Sequence, residues 1–287
     1  MKVARSVEEL ESRPRAAAIG TFDGVHRGHQ QVIAAAVESG LVPTVVTFDP
    51  HPRLVLGYAV ELLSTLQRRL ELLAEQGVEE TLVIGFDHEL QQLEPEDFAH
   101  SVLAKMGASV VVAGETFRFG HRRRGDLALL RQLGFDARAV PFLEGVSSTE
   151  IRRLLHEGDA AGAAGMLGRP AEVEGTVVVG DERGGTLGFP TANLAVEPQL
   201  LVPAYGIYAG AARGARAAIS IGTNPHYGGH ERKVEAFLLD FDGDLYGQRL
   251  VVELWQRLRD EQSFKSEQAL IDQIAADVEA TRRATRP

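Results

Sequence analysis

Two hydrophobic rhythms divide this chain. From residue 16 to about 142, short unbroken apolar runs alternate with segments whose apolar residues return every three to four positions. Arg15 to Phe22 reads as a buried strand, Gln30 to Ser39 as a helix, Val42 to Phe48 as a strand and Thr65 to Gln76 as a helix. Thr81 to Phe86, Pro95 to Met106 and Ser109 to Ala113 continue the alternation. Such a pattern predicts a parallel sheet covered by helices, a fold that binds ligands beyond the carboxyl ends of its strands. Helices are expected at Ser148 to Glu157 and Ala160 to Leu167, and Gly168-Arg169-Pro170 marks the joint. Beyond it the rhythm shortens. Glu172 to Val179, Gly206 to Ala212, Ala217 to Gly222, Val234 to Phe241 and Gln248 to Leu254 read as strands, separated by Gly, Pro, Asn and Asp. With no helix between them, a small antiparallel barrel is the expected solution. Ser266 to Arg283 reads as a helix with one apolar stripe through Leu270, Ile274 and Asp277-Val278.

A length of 287 residues suits two domains. The net charge of −10 argues against non-specific binding to nucleic acid or to an anionic membrane, which need basic surface. A phosphate ligand needs only a local cluster, for which His121-Arg122-Arg123-Arg124 is one candidate. The absence of cysteine excludes disulfides, thiolate metal sites and thiol nucleophiles. MKVARSVEELESRPR carries charges throughout and is no signal peptide, and no apolar run reaches membrane-spanning length. The expected location is the cytoplasm, and the oligomeric state is left open.

Two clusters carry chemistry. In GTFDGVHRGHQ, beyond the first strand, His26 and His29 stand three apart at the mouth of a helix. Free backbone amides and the helix dipole favour negative charge there. Gly20, Gly24 and Gly28 let backbone approach a nucleotide. The two imidazoles can donate to phosphates and stabilise charge developing on departing pyrophosphate; the bland reading is a solvated turn. VSSTEIRR supports the first reading. Ser147 and Glu150 fit a capping box. Ser148 and Thr149 fall in the first helical turn, and Arg152 one turn later is suited to clamp a triphosphate tail.

The second cluster is GGTLGFPTANL. It is not a Walker A loop. Gly184, Gly185 and Gly188 suit a phosphate-approaching turn, or else a plain Gly/Pro hairpin. Thr191 and Asn193 alternate on an extended segment and so share a side. A hydroxyl and an amide oxygen are hard ligands fit for a magnesium ion that keeps most of its waters. Glu235, mid-strand, is either a surface residue or a positioned base. Asp240, Asp242 and Asp244 do not form a calcium loop, and a hairpin turn at Asp242-Gly243 accounts for them better.

HxGH after the first strand and the later Ser-Thr-x-x-Arg helix start resemble the nucleotidyltransferase superfamily. The longer string GTFDGVHRGHQ, with TFDPHP, FRFGHRRRGD and VSSTEIR, is similar to the adenylyltransferase half of the prokaryotic bifunctional riboflavin kinase/FMN adenylyltransferase family. GFPTANL, PAYGIYAG, SIGTNPHYGG, VEAFLLDFDGDLYG and LRDEQSF resemble its riboflavin kinase half. The resemblance spans residues 15 to 283 and implies a Rossmann-like α/β nucleotidyltransferase domain followed by an antiparallel β-barrel kinase domain with a C-terminal helix. Boundaries are expected at 1–168 for FMN adenylyltransferase and 169–287 for riboflavin kinase. The resemblance implies that His26 and His29 contact ATP phosphates, that Gly20, Phe22, Asp23, Gly24, Gly28, Ser148, Thr149 and Arg152 make up the nucleotide site, and that Asp49, Pro50, His51 and Thr116 lie on its flavin side. In the kinase half it implies that Gly184, Gly185 and Gly188 approach phosphates, that Thr191 and Asn193 bind Mg2+-ATP, and that Glu235 is the base toward the ribityl 5′-hydroxyl. The partners implied are riboflavin, FMN, FAD and ATP, with Mg2+ serving both reactions. Four positions depart from the usual family pattern: Thr116 stands for Asn or Asp, Glu150 for a basic residue, Gly185 for Arg and His226 for Thr. A rival reading therefore keeps one half active and the other as a flavin- or nucleotide-binding regulatory module. The stretch His226, His230, Arg232 and Lys233 is a candidate to compensate the lost arginine.

Overall fold

The computed structural model describes residues 1–180, 189–223 and 232–287. The chain divides into two compact units, one of residues 1–60 and 64–146, the other of residues 61–63 and 147–287. The dividing point therefore falls at Val146/Ser147, and the expected joint at Gly168-Arg169-Pro170 lies inside the second unit.

The first unit is a parallel sheet between helical layers. Its strands are β1 (Lys2–Ala4), β2 (Arg15–Ile19), β3 (Val42–Asp49), β4 (Glu80–Gly85), β5 (Ala108–Gly114) and β6 (Asp136–Val140). They lie in the order β1-β4-β3-β2-β5-β6. Helices α1 (Arg27–Val37), α2 (Pro52–Val55), α3 (Leu66–Glu75), α4 (His88–Gln92), α5 (Pro95–Phe98, continued by a π-turn at Ala99–Ala104) and α6 (Leu127–Gln132) fill the connections. Every residue of β2 is buried, which explains its unbroken apolar run. Ala16 and Ala18 pack with Ile33, Ala36 and Leu73 on one face, while Ala17 and Ile19 pack with Phe98, Leu103 and Leu130 on the other. β2 pairs with β3 on one side and β5 on the other. Strand order reverses there, and the GTFDGVHRGH loop leaves β2 at that switch point.

Buried charge closes the opposite end of this sheet. Arg15, at the start of β2, is fully buried. Its Nε donates to Glu80 Oε2 at 2.7 Å, and its Nη1 donates to the carbonyls of Arg13 and Met106.

The second unit begins with α7 (Ser148–Glu157) and α8 (Ala160–Leu167), followed by β7 (Ala171–Val178), β8 (Ala192–Ala195), β9 (Gly206–Ala212), β10 (Ala215–Thr223), β11 (Arg232–Leu238), β12 (Arg249–Arg259) and α9 (Glu267–Arg283). The strands close a barrel in the order β10-β11-β8-β7-β12-β9. Val173, Val177, Leu194, Ile219, Val234 and Val252 fill its interior. Leu62 pairs with Leu200, which fastens the short segment 61–63 to this unit.

Two expectations are corrected. β11 pairs with β10 and β8, not with β12, so Asp242-Gly243 is no hairpin turn. Residues 239–248 instead carry the chain between strands that are not neighbours, and Asp240 forms a two-pronged pair with Arg282 of α9. The α9 stripe is also less apolar than expected: its buried residues are Asp277 and Thr281, while Leu270, Ile274 and Val278 are half-buried. The docking groups on the barrel are guanidinium groups, which call for polar partners. Arg259 forks onto the Asp277 carboxylate at 2.7–3.2 Å, and Arg216 donates to the carbonyls of Thr281 and Ala284.

Candidate active sites

At the first cluster the chain leaves β2 through an unusual turn. Phe22 (φ 50°), Gly24 (φ 78°) and Val25 (φ 41°) all have left-handed backbones. Such a conformation is costly for side chains as bulky as Phe and Val, and it persists only where packing enforces it. Phe22 and Val25 are almost fully buried. Asp23, also buried, accepts from the Ser64 amide at 3.3 Å, and Ser64 Oγ accepts from the Gly24 amide at 3.2 Å. Strain in this loop is thus held by a two-bond latch that reaches across 40 residues of sequence.

The turn delivers His26 as the N-cap of α1. Its Nδ1 accepts from the His29 amide at 3.3 Å. Gly28 makes room for this: a Cβ there would lie 3.2 Å from the His26 ring. Gly20 is similarly close to the Phe22 ring, at 3.3 Å. The His26 and His29 rings stack with centroids 3.6 Å apart and planes 16° apart, and Phe22 meets His29 edge-on at 5.3 Å. Because His26 Nδ1 accepts, a neutral His26 carries its hydrogen on Nε2. His29 Nδ1 is buried without a hydrogen-bond partner, so a hydrogen placed there would be unsatisfied. The network therefore assigns both rings as Nε2–H donors. Burial, the neighbouring His26 and the charge of Arg69 hold His29 well below the ordinary imidazole range.

Of the residues expected on the flavin side, Asp49 ends β3 and lies 4.0 Å from Arg5. The peptide between Asp49 and Pro50 is cis. His51 is buried and caps α2, its Nδ1 accepting from the Arg53 amide at 3.2 Å. Thr116 is exposed in the loop that follows β5. In the basic run after it, Arg122 and Arg123 are exposed, with φ of 53° and 58°, and Arg124 pairs with Glu94.

Ser148, Thr149 and Arg152 fall in the second unit. Ser147 caps α7, its Oγ accepting from the Glu150 amide at 3.1 Å. The Glu150 carboxylate grips Arg153, so the carboxylate arm of the expected capping box is spent on a salt bridge. Arg152 Nε donates to the Glu61 carbonyl at 2.5 Å, and His156 Nε2 lies 2.7 Å from the Glu61 carboxylate.

The second cluster is assembled on the outer face of the barrel. Cross-strand register aligns Val178 of β7 with Asn193 of β8, Asn193 with Glu235 of β11, and Glu235 with Ser220 of β10. Val234, Ala236 and Leu238 point inward, which leaves Lys233, Glu235 and Phe237 on this outer row. Lys233 Nζ lies 3.2 Å from Glu235 Oε1. Phe189 packs edge-on against Phe237 at 5.4 Å, which lays the start of Pro190-Thr191 over β11. Asn193 Nδ2 donates to the Thr191 carbonyl at 3.4 Å, while its Oδ1 is buried without a partner. Gly180 makes this rotamer possible, since a Cβ there would lie 2.2–2.5 Å from the Asn193 amide atoms. Gly184, Gly185, Gly188, His226 and His230 lie outside the described residues. Arg232 donates to the Val202 carbonyl and covers the Tyr205 ring. It and Lys233, half of the proposed compensating stretch, are thus engaged within the barrel. Among the described residues no three His, Cys, Asp or Glu side chains form a metal cage. An orphaned hard oxygen at Asn193 fits a magnesium ion whose remaining ligands are phosphate oxygens and water.

The sequence reading missed Ser64, Arg69, Gly180 and Ser220, and it named Lys233 only within the compensating stretch, not as the partner of Glu235. Arg69 left a readable signal: it falls in register with Leu72 and Leu73 on the buried arc of α3, where an unpaired charge has no ordinary reason to be.

Comparison with known proteins gives a consistent result. The model of the FAD synthetase family matches residues 8–149, and that of the riboflavin kinase family matches residues 167–285. The bifunctional riboflavin kinase/FMN adenylyltransferase of Escherichia coli strain K12 is 37% identical over 300 aligned positions, covering 96% of each chain. That of Listeria monocytogenes is 36% identical, covering 92% of this chain and 90% of its own. A crystal structure described as a macrolide-efflux protein from Streptococcus pneumoniae superposes with a TM-score of 0.87 at 30% identity, over 99% of both chains. Among the described residues no helix is long and apolar enough to cross a membrane.

Proposed function

We propose how each half works from one premise: the chain belongs to the bifunctional riboflavin kinase/FMN adenylyltransferase family. It phosphorylates riboflavin to FMN with ATP, and it adenylylates FMN with ATP to give FAD. We assign the first reaction to the barrel and the second to the parallel-sheet unit, and both to the cytoplasm, since both consume ATP.

In the barrel, the ribityl 5′-hydroxyl attacks the γ-phosphorus of ATP. The new O–P bond forms as the bond to the β-phosphate oxygen breaks, and ADP leaves. Glu235 accepts the hydroxyl proton. Its register position across from Asn193 supports pairing a base with the residue that would hold a cation. Thr191 and Asn193 would hold Mg2+, which when bound neutralises charge on the phosphates. Gly184, Gly185 and Gly188, which lie outside the described residues, are proposed on the sequence resemblance alone to approach the phosphates. Lys233 fixes the Glu235 carboxylate through its ion pair.

In the sheet unit, an oxygen of the FMN phosphate attacks the α-phosphorus of a second ATP, and the bond to the β-phosphate breaks to release pyrophosphate. Two imidazoles stacked with centroids 3.6 Å apart, each assigned its hydrogen on Nε2, are the observation that carries this assignment. They suit adjacent phosphoryl oxygens and strengthen as charge develops on them. Gly20, Phe22, Asp23, Gly24 and Gly28 shape and brace that loop. Ser148, Thr149 and Arg152 are proposed as nucleotide-binding residues, and Asp49, Pro50, His51 and Thr116 as flavin-binding ones.

Incubation with riboflavin and Mg2+-ATP, with flavins resolved over time, tests the scheme. FMN should rise and then give way to FAD. His29→Ala should stop at FMN. Glu235→Gln should make no FMN yet convert supplied FMN to FAD. Loss of both activities in either folded variant would refute the two-site scheme, and the absence of one activity in the unsubstituted protein would show that only one half works.

A further inference from the structure

Arg69 is an anomaly in the first unit. It sits on α3 with only 1% of its surface exposed. Its Nη1 donates to the Phe48 carbonyl at 3.2 Å, and its Nε is buried with no hydrogen-bond partner. A guanidinium this deep needs negative charge nearby. Burial is the larger effect and lowers the Arg69 pKa from its ordinary value, while Asp23, from the strained turn, and Asp49, from the end of β3, act against it and favour the charged form. Its charge also acts on His29.

We propose that Arg69 is a positioning residue for adenylyl transfer: its buried, fixed positive charge keeps His29 an uncharged Nε2–H donor facing ATP. The proposal rests on the adenylyltransferase reading of this site. A protonated His29 would carry a second ring hydrogen on Nδ1, which is buried with no acceptor. The ring would have to turn to find one, which would break both its stack on His26 and its aim. Three features oppose that protonation: burial, the adjacent His26 ring and Arg69. Two of them belong to the HxGH loop itself. Arg69 comes from a different element and is not needed to make the loop's hydrogen bonds. The charged and titratable groups of this network are His26 before α1, Arg69 of α3, and Asp23 and Asp49, which act on Arg69, with Arg5 4.0 Å from Asp49.

The sign of the effect follows. Arg69 lowers the pKa of His29, so removing its charge raises that pKa, and His29 begins to protonate at a higher pH. The test is nitrogen NMR of the imidazoles across pH in the full chain, together with the pH profile of FAD formation, for the unsubstituted protein and Arg69→Met. The unsubstituted protein should show His29 neutral, with its hydrogen on Nε2, at neutral and mildly acid pH. R69M should show His29 protonating at higher pH, and kcat for FAD formation should gain an acid limb that the unsubstituted protein lacks. FMN formation in the same samples should be unchanged. A folded R69M with the original His29 titration and pH profile would overturn the proposal. So would a doubly protonated His29 at neutral pH in the unsubstituted protein, a result that needs no variant to fold. If His29→Ala still makes FAD, the reading of the site fails instead, whatever Arg69 does.

Discussion

Gly180→Ala is a substitution whose consequence can be worked out from the barrel's geometry. The added methyl would lie 2.2 Å from Asn193 Nδ2, 2.3 Å from Cγ and 2.5 Å from Oδ1. Ordinary contact for such atoms is about 3.5 Å, so the amide must retreat by roughly 1 Å. The retreating group is the far end of a side chain, so the barrel keeps its fold and stability falls little. The displaced atom is Oδ1, however, the orphaned acceptor assigned to the metal. A misplacement of about 1 Å costs on the order of 100-fold in rate, or about 2.7 kcal/mol of transition-state stabilisation. The expected outcome is therefore a split: kcat/KM for FMN formation falls about 100-fold, while thermal stability and FAD formation from supplied FMN stay near their starting values. Asn193→Ala calibrates the result. If Gly180 matters only through Asn193, the double variant should be no worse than N193A alone, since residues acting as a unit are not additive. Unchanged FMN formation in G180A would refute the placement of the metal, and fully additive losses would refute the route through Asn193.

Two further outcomes concern stability. Glu80→Gln would leave Arg15 buried opposite a neutral amide, at a cost of about 3–5 kcal/mol by urea unfolding. Burial raises the Glu80 pKa, but the bonds from Arg15 and Arg13 outweigh it and hold it below the ordinary glutamate value. Its stabilisation is therefore full above the ordinary value and is lost as pH falls through the lower, folded one. E80Q should accordingly flatten the acid limb of stability, and an unchanged limb would refute the assignment. Asp277→Asn should loosen α9 by about 1.5–3 kcal/mol, the worth of hydrogen bonds to a charged group. The check is faster hydrogen exchange over residues 267–283, with the barrel strands unaffected; equal protection in both proteins would refute the polar docking of this helix.

What the sequence disclosed follows from what periodicity measures. β2 and β3 are apolar because both faces of a parallel strand are covered, and the barrel strands alternate because one face is wet. Both classes of strand were legible, and with them the two architectures. β8 was read only as an extended segment through Thr191 and Asn193, because Ala-Asn-Leu-Ala is four residues long and lies between Pro190 and Pro198. β1 has three residues and β6 is an edge strand with charged alternate positions, so neither shows an apolar run. The error at Asp242-Gly243 has a different cause. Turn-forming residues report that the chain bends, but not which strand it meets next. That choice depends on barrel closure, which places β8 between β11 and β7.

Charged residues at both sites and at α9 share one reason for being hard to read. A single sequence gives a carboxylate or a guanidinium no partner, so its default place is the surface. Glu235 fits that default and still meets the demands of a base: it sits on the outer row, about a third exposed, where a polyol can reach it. Asp277, Arg15 and Arg69 break the default, and each does so because of a partner distant in sequence: Arg259, 18 positions away; Glu80, 65 away; and the carbonyl of Phe48, 21 away. The HxGH histidines escaped this difficulty because their constraint is local. His26 caps the helix on which His29 rides, so a spacing of three already implies the stacked pair. The spacing does not imply the protonation state of His29, which follows first from its burial, then from His26 and Arg69, the last on a helix that starts some 40 residues later. Local capping chemistry could thus be read from the motif, whereas the electrostatics that tune it became visible only once α3 had been packed against β3.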